Sequence, residues 1–242
     1  MSKHPPYRRF SVGLRAGIPI ALGYVSVSFG FGISAVNTGL SPLTAILISL
    51  TNLTSAGQVA GLGIIAACGS FGEMALAQLT INIRYFLMSL ALSQRLDASY
   101  SVLHRLTTAF GVTDEVFGVA SAREEPLTPS YMYGLILLPF VGWALGTTLG
   151  ALAGNLLPSD IKLALGIAIY GMFVAIVVPP AKRCVGVLSA SALAIAVSLL
   201  LTYLPIVNLT SGFIIILSAL PASLIAAAFF PMPSEKEVCA HE

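Results

Sequence analysis

The chain has 242 residues, of which 57% are hydrophobic and only 9% are charged, and its mean hydropathy is +0.92. A soluble domain carries about 25% charged residues, so a soluble fold with a charged surface is excluded. The net charge of +2 gives no basic groove for nucleic acid. The composition therefore predicts an all-α, polytopic transmembrane helix bundle, because helices satisfy their own backbone hydrogen bonds in lipid.

Long stretches without charged residues predict the spans, since one crossing needs about 20 apolar residues. We expect a single membrane domain that begins with a basic cytoplasmic tail over 1–14 and ends with a tail over 231–242. Between them lie a first helical half (15–94), a polar segment (95–130) and a second helical half (131–230), and the two halves are candidates for an internal repeat. The expected spans are 15–36, 43–71, 73–94, 131–156, 161–181, 184–204 and 208–230.

The second apolar block, 43–71, is longer than one straight span needs and predicts a broken or re-entrant helix. Polar and small residues interrupt it at Asn52, Thr54, Ser55, Gly57, Gln58, Gly61 and Gly63. Transporters place such breaks at binding sites, because unwound backbone is tolerated only where it lines a cavity. If this block crosses once and the weakly apolar stretch 107–122 does not, the chain has seven spans. Otherwise it has six or eight, and we favour these because they place both termini in the cytoplasm with the basic clusters.

Arg84 lies inside the third apolar block. An arginine near the centre of a membrane helix costs about 2.5–3.5 kcal/mol, so we expect it to face a cavity or an acidic partner. Glu73 shares its helical face but lies about 16 Å away along the axis. Asn82 and Tyr85 belong to a second polar stripe on the same helix, which either bonds to neighbouring helices or contacts substrate.

Asp114 and Glu115 are adjacent acidic residues between apolar neighbours in the polar segment. If this segment folds back into the bundle, either carboxylate is a candidate partner for Arg84. The pair also suits proton coupling, since burial raises a carboxyl pKa toward neutral pH. The alternative is a solvated turn at the start of a helix, with Thr113 or Asp114 as its cap.

Several kinds of site are not indicated by the sequence. It contains no phosphate-binding loop of the form G-x-x-x-x-G-K-[ST] and neither H-E-x-x-H nor G-x-S-x-G. The scattered cysteines and histidines show no metal-ligand spacing. We therefore expect no enzyme activity, no cofactor and no metal.

An ordered set of segments resembles the AzlC (YgaZ-like) branched-chain amino acid permeases of bacteria. These segments are 13–19, 29–32, 39–41, 55–58, 82–85 and 113–117, followed by Trp143, Gly146, Gly150 and Pro158. The resemblance implies a multi-pass protein of the bacterial inner membrane that exports valine, leucine or isoleucine. It also implies a small second membrane subunit of the AzlD type.

A zwitterionic substrate needs a cation, an acceptor and an apolar pocket. In this interpretation Arg84 pairs with the substrate carboxylate, and a half-helix N-terminus around Ser55, Gly57 and Gln58 adds N–H donors. Asp114 or Glu115 receives the ammonium group or a proton. The alternatives are a channel-like facilitator for small solutes and a membrane scaffold whose activity resides in a partner.

Overall fold

The computed structural model describes residues 6–153, 184–203 and 209–230, with scattered positions from 156 to 182. The span expected at 161–181 lies largely outside the described residues. The helices of the described part are α1 (Pro6–Asn37), α2 (Pro42–Thr51), α3 (Ser55–Ala66), α4 (Phe71–Ser93), α5 (Val102–Phe110), α6 (Asp114–Ser121), α7 (Pro129–Ala153), α8 (Val185–Tyr203) and α9 (Ser211–Phe229).

Five of these helices, α1, α4, α7, α8 and α9, are long and apolar enough to cross a membrane. The predicted all-α membrane bundle is confirmed. The predicted broken helix is also confirmed, because α2 and α3 are too short to span singly at 1.5 Å per residue. One boundary differs: α1 begins at Pro6, within the expected tail of 1–14. Basic residues mark a membrane edge, and a helix continues through them without penalty.

The chain forms two compact units. The first contains the described residues up to Leu62 and those from Ile81 to Ala153. The second contains Gly63–Thr80 and the described residues from Gly171 onward. In the second unit α8 and α9 pack against each other. A Cβ added at Gly186, near the start of α8, would lie 3.1 Å from Phe230, just after the end of α9. The two helices are therefore antiparallel.

Helices α1 and α7 pack closely and in parallel to form the glycine seam of the first unit. A Cβ added at Gly13 would lie 2.1 Å from the Tyr131 carbonyl oxygen, and one at Gly150 would lie 2.1 Å from that of Phe29. Small residues let membrane helices approach until their backbones touch. The other seam glycines with such contacts are Gly17, Gly32, Gly134, Gly142 and Gly146.

The parallel seam constrains how the chain crosses the membrane. If α1, α4 and α7 each cross once, α7 can run parallel to α1 only when the α2–α3 and α5–α6 pairs both cross or both re-enter. The seven-span arrangement requires the first pair to cross and the second not to cross, which makes α7 antiparallel to α1. The packing therefore favours the six- or eight-span arrangements.

Candidate functional site

Two helix breaks lie in the first unit, and side-chain caps explain both. Asn52 ends α2 in extended conformation, with φ −145°, and Thr54 Oγ1 accepts the Gly57 N–H at 3.2 Å to begin α3. Thr113 begins α6 in the same way by accepting the Val116 N–H at 3.4 Å. A hydroxyl at this position satisfies an N–H group that the helix leaves unpaired. Thr113, one of the two caps considered from the sequence, is the residue that fills this role.

A cavity of about 160 Å3 lies at both breaks. The side chains around it come from the first break, from α4 and from the residues before and within the second break. They are Thr51, Asn52, Leu53, Thr54, Asn82, Tyr85, Ala109, Phe110 and Val112. Thr54 donates its hydroxyl proton to Asn82 Oδ1 at 2.7 Å, so α4 is bonded directly to the first break.

Arg84 forms an ion pair with Asp114, the first residue of α6. Arg84 Nη2 lies 3.0 Å from Asp114 Oδ2, and their side chains are 34% and 21% exposed. Arg84 also donates to the Tyr85 hydroxyl at 3.3 Å. Its buried Nε has no hydrogen-bond partner among the described residues. Of the two acidic residues predicted as partners of Arg84, Asp114 is the one that pairs with it. The Nε–H of the guanidinium takes no part in this ion pair.

Burial raises the pKa of the Asp114 carboxyl above its ordinary value, while the Arg84 guanidinium opposes that shift. Adjacent Glu115 raises the pKa further by repulsion. Asp114 and Glu115 lie on α6, which is too short to span the membrane alone. The Asp114 carboxylate therefore pairs with one cation, Arg84, and its affinity for a proton depends on its surroundings.

Glu115 is held by α1 rather than by α4. The Tyr24 hydroxyl lies 2.5 Å from Glu115 Oε2 and 2.7 Å from Thr113 Oγ1. The Tyr24 hydroxyl can donate to either oxygen, and because a phenol has one proton it donates to only one of them at a time. The two neighbouring acids thus have different partners, Arg84 for one and Tyr24 for the other.

Gln58, in the first turn of α3, stabilises the first break. Its side-chain amide donates to the backbone carbonyl of Asn52, and its Oε1 accepts from Trp143 Nε1 at 3.2 Å. The Trp143 ring meets that of Tyr24 edge to face, with centroids 5.1 Å apart. This chain of contacts joins α7, the first break and the second break within one unit. A buried polar network of this kind favours one arrangement of the groups that it joins.

A second and more apolar cavity, of about 310 Å3, adjoins the first. It is lined mainly by α4 and α5, with Leu92, Met132 and Tyr100 among its walls and Arg105 at its edge. Ala109 and Val112 line both cavities.

A family model described as AzlC protein matches residues 19–157, which is more than half of the chain. This protein belongs to the AzlC family. The resemblance inferred from the ordered segments is thereby confirmed. The matched range contains both helix breaks, the ion pair and Trp143, so the candidate site lies within the part of the chain that defines the family.

Two relatives support this membership. The AzlC chain is 27% identical over 186 residues to the inner membrane protein YgaZ of Escherichia coli, covering 74% of this chain and 76% of that protein. It is 32% identical over 217 residues to an uncharacterized membrane protein of Archaeoglobus fulgidus, covering 87% and 90%. No solved structure matches it. The protein is thus a multi-helix membrane protein of the AzlC family, consistent with a transport-related subunit.

The expected site residues of this AzlC-family chain fall into four groups. Asn82 and Tyr85 line the first cavity, whereas Arg84 and Asp114 form an ion pair beside Tyr85. Three others lie in the first turn of α3, directly after the break: Ser55, Gly57 and Gln58. Glu115 is bonded to α1. Sequence reasoning missed Tyr24 and the contact of Trp143 with Gln58. Their only sequence signals are an aromatic residue in a glycine-rich helix and the single tryptophan.

Proposed function

We propose that this chain is the main subunit of a secondary transporter that exports branched-chain amino acids. The observation that supports this most directly is the Arg84–Asp114 pair, beside a cavity at two helix breaks. Discontinuous helices around a buried charge pair are typical of transporter binding sites. An intramembrane ionisable residue with a named partner is a functional site by default.

The ion pair suits a zwitterion, because an amino acid carries the opposite charges at matching spacing. The substrate carboxylate binds Arg84, whose Nε lacks a partner among the described residues. A guanidinium binds a carboxylate through two parallel N–H groups. The substrate ammonium group binds Asp114. Substrate therefore replaces each half of the pair instead of leaving a buried charge unpaired, which would be strongly unfavourable.

The remaining expected residues complete this proposal. Asn82 and Tyr85 offer polar groups at the cavity wall, and the first turn of α3, from Ser55 to Gln58, directs its dipole toward the substrate carboxylate. Glu115, next to Asp114, takes part in proton exchange. The substrate side chain extends past Ala109 and Val112 into the apolar second cavity, which selects valine, leucine or isoleucine.

We further propose that the active transporter contains a small AzlD-like membrane subunit and resides in the bacterial inner membrane. Both termini then lie in the cytoplasm, in keeping with the basic residues at the start of α1 and Lys182. The protein performs transport and no bond chemistry. The name of the Escherichia coli relative supports the inner-membrane assignment.

Counterflow in proteoliposomes tests the proposal. Purified protein, with and without the small subunit, is reconstituted with unlabelled leucine inside and radiolabelled leucine outside. We expect leucine inside to accelerate entry of label. A channel-like facilitator gives no such acceleration, and a scaffold whose activity resides in a partner binds no leucine by itself.

Arg84→Ala is the first variant to measure. It should abolish counterflow while the protein still inserts and purifies, because the substrate carboxylate loses its cation. Lys182→Ala, which removes an exposed basic residue outside the candidate spans, is the matched control and should behave as wild type. Normal counterflow by Arg84→Ala would contradict the proposed site.

A further inference from the structure

Glu73 is an acidic residue that the proposed substrate site does not use. It lies in the first turn of α4 and is only 2% exposed. Among the described residues it is the only acidic side chain that is almost fully buried. A carboxylate without water or a cation is costly in a membrane protein unless it is well bonded. Its bonds therefore indicate what it does.

Glu73 is bonded to the start of α9. The Gly212 N–H donates to Glu73 Oε1 at 2.9 Å, and the Thr210 hydroxyl donates to the same oxygen. Thr210 occupies the N-cap position of α9, but its side chain makes no capping bond to its own helix. The Glu73 carboxylate takes that place, where the helix dipole favours a negative charge.

The backbone encloses this carboxylate tightly. A Cβ added at Gly69 would lie 2.6 Å from Oε2, and one at Gly212 would lie 2.6 Å from Oε1. A side chain at either position would require the carboxyl group to shift. The loop before α4 and the start of α9 thus enclose the carboxyl group, and the start of α9 supplies both hydrogen-bond donors.

No cation forms an ion pair with Glu73 in the described part of the chain. Helices α3 and α9, which contribute Ile64 and Gly212 near it, contain no ionisable residue, and the α3–α4 loop contains only Cys68. On α4 itself the next charge is Arg84, about 16 Å along the axis. Within the described residues, the charge of Glu73 is therefore balanced by hydrogen bonds and a helix dipole.

We propose that Glu73 is a proton-binding site that couples transport to the proton gradient. The Glu73 carboxylate accepts a proton from one side of the membrane and later releases it to the other, with no other bond made or broken. The neutral acid binds the N-terminus of α9 less strongly, because its charge-assisted hydrogen bonds are lost. Helix α4 carries Glu73 at one end and Asn82, Arg84 and Tyr85 further along. The coupling role rests on the transport function proposed above.

Glu73→Gln tests the proposal. Glutamine keeps a carbonyl oxygen for the Gly212 N–H and the Thr210 hydroxyl, but it cannot take up a proton. In proteoliposomes we expect leucine counterflow at equal pH to persist, whereas leucine movement driven by a pH gradient is lost. Glu124→Gln changes an exposed carboxylate and should keep both activities. Gradient-driven movement by Glu73→Gln overturns the proposal, and so does loss of counterflow, which marks a purely structural cap.

A second measurement needs no transport. Infrared difference spectra of the purified protein, recorded between high and low pH, should show the carbonyl stretch of a buried protonated carboxyl in wild type. That band should be missing in Glu73→Gln and present in Glu124→Gln. A wild-type protein without the band overturns the proton site. If the band is present but wild type shows no counterflow, the transport function fails and the proton site stands.

Discussion

Asp114 gives the site a dependence on pH. Burial raises the pKa of its carboxyl, so it begins to take up a proton at a higher pH than an ordinary aspartate. The protonated acid no longer attracts an ammonium group. The apparent affinity for leucine should therefore weaken as the pH falls through this range, and Asp114→Asn should bind weakly at every pH. Leucine-induced thermal stabilisation, measured across pH, reports this affinity by mass action. A pH-independent wild type would contradict the proposed role of Asp114.

Tyr24 joins α1 to the second break through one hydroxyl. Tyr24→Phe keeps the edge-to-face contact with Trp143 but removes the donor to Glu115. Removing one partner of a part-buried hydrogen bond costs about 1–3 kcal/mol. We expect a lower thermal unfolding temperature in detergent and slower counterflow. Tyr203→Phe changes an exposed tyrosine, 79% accessible, and should have no effect on either measurement.

Single residues also show what the sequence could predict. The free-energy cost of a guanidinium inside a membrane helix identified Arg84 and suggested Asp114 or Glu115 as its partner. The polar residues at the start of α6 offered Thr113 or Asp114 as a cap. Tyr24 with Glu115 and Trp143 with Gln58 were not predicted, because these partners are separated by 91 and 85 positions. Periodicity relates residues within one helix, whereas such pairs depend on how distant helices pack.

At the scale of elements, the break between α2 and α3 was predictable because polar residues and glycines interrupt an apolar block. The break between α5 and α6 was less visible, since the stretch 107–122 is only weakly apolar and contains no long apolar run that a polar residue could interrupt. Glycine-rich membrane helices tend to pack closely, but this tendency does not by itself predict the seam between α1 and α7. Neither its partner nor its parallel direction follows from the glycines themselves.

The seam should tolerate no added volume. Gly150→Ala places a methyl group 2.1 Å from a backbone oxygen of α1, and overpacking of this kind costs about 1–3 kcal/mol. Gly23→Ala is the matched control, because a Cβ there meets nothing within 4 Å. We expect a lower thermal unfolding temperature in detergent for Gly150→Ala only. Equal unfolding temperatures for the two variants would contradict the observed packing of α1 against α7.

At the scale of the whole molecule, the parallel seam predicts which loops share a side of the membrane. Cysteines are placed at Asn37, the last residue of α1, and at Glu124, in the loop before α7; both positions are exposed. A membrane-impermeant maleimide added to intact spheroplasts should label Asn37→Cys and not Glu124→Cys. The expectation for Glu124 follows from the proposed cytoplasmic N-terminus. Labelling of both from one face would contradict the parallel arrangement.

The seam also has a consequence for how the protein is made. Its two helices are separated by roughly 120 residues, so at about 5–20 residues per second the ribosome needs on the order of ten seconds to deliver the second one. During that interval the nascent α1 has already left the translocon with its glycine surface facing lipid or an insertase. A chain whose synthesis stops before residue 129 therefore contains α1 without α7. Such a chain is a substrate for membrane proteases.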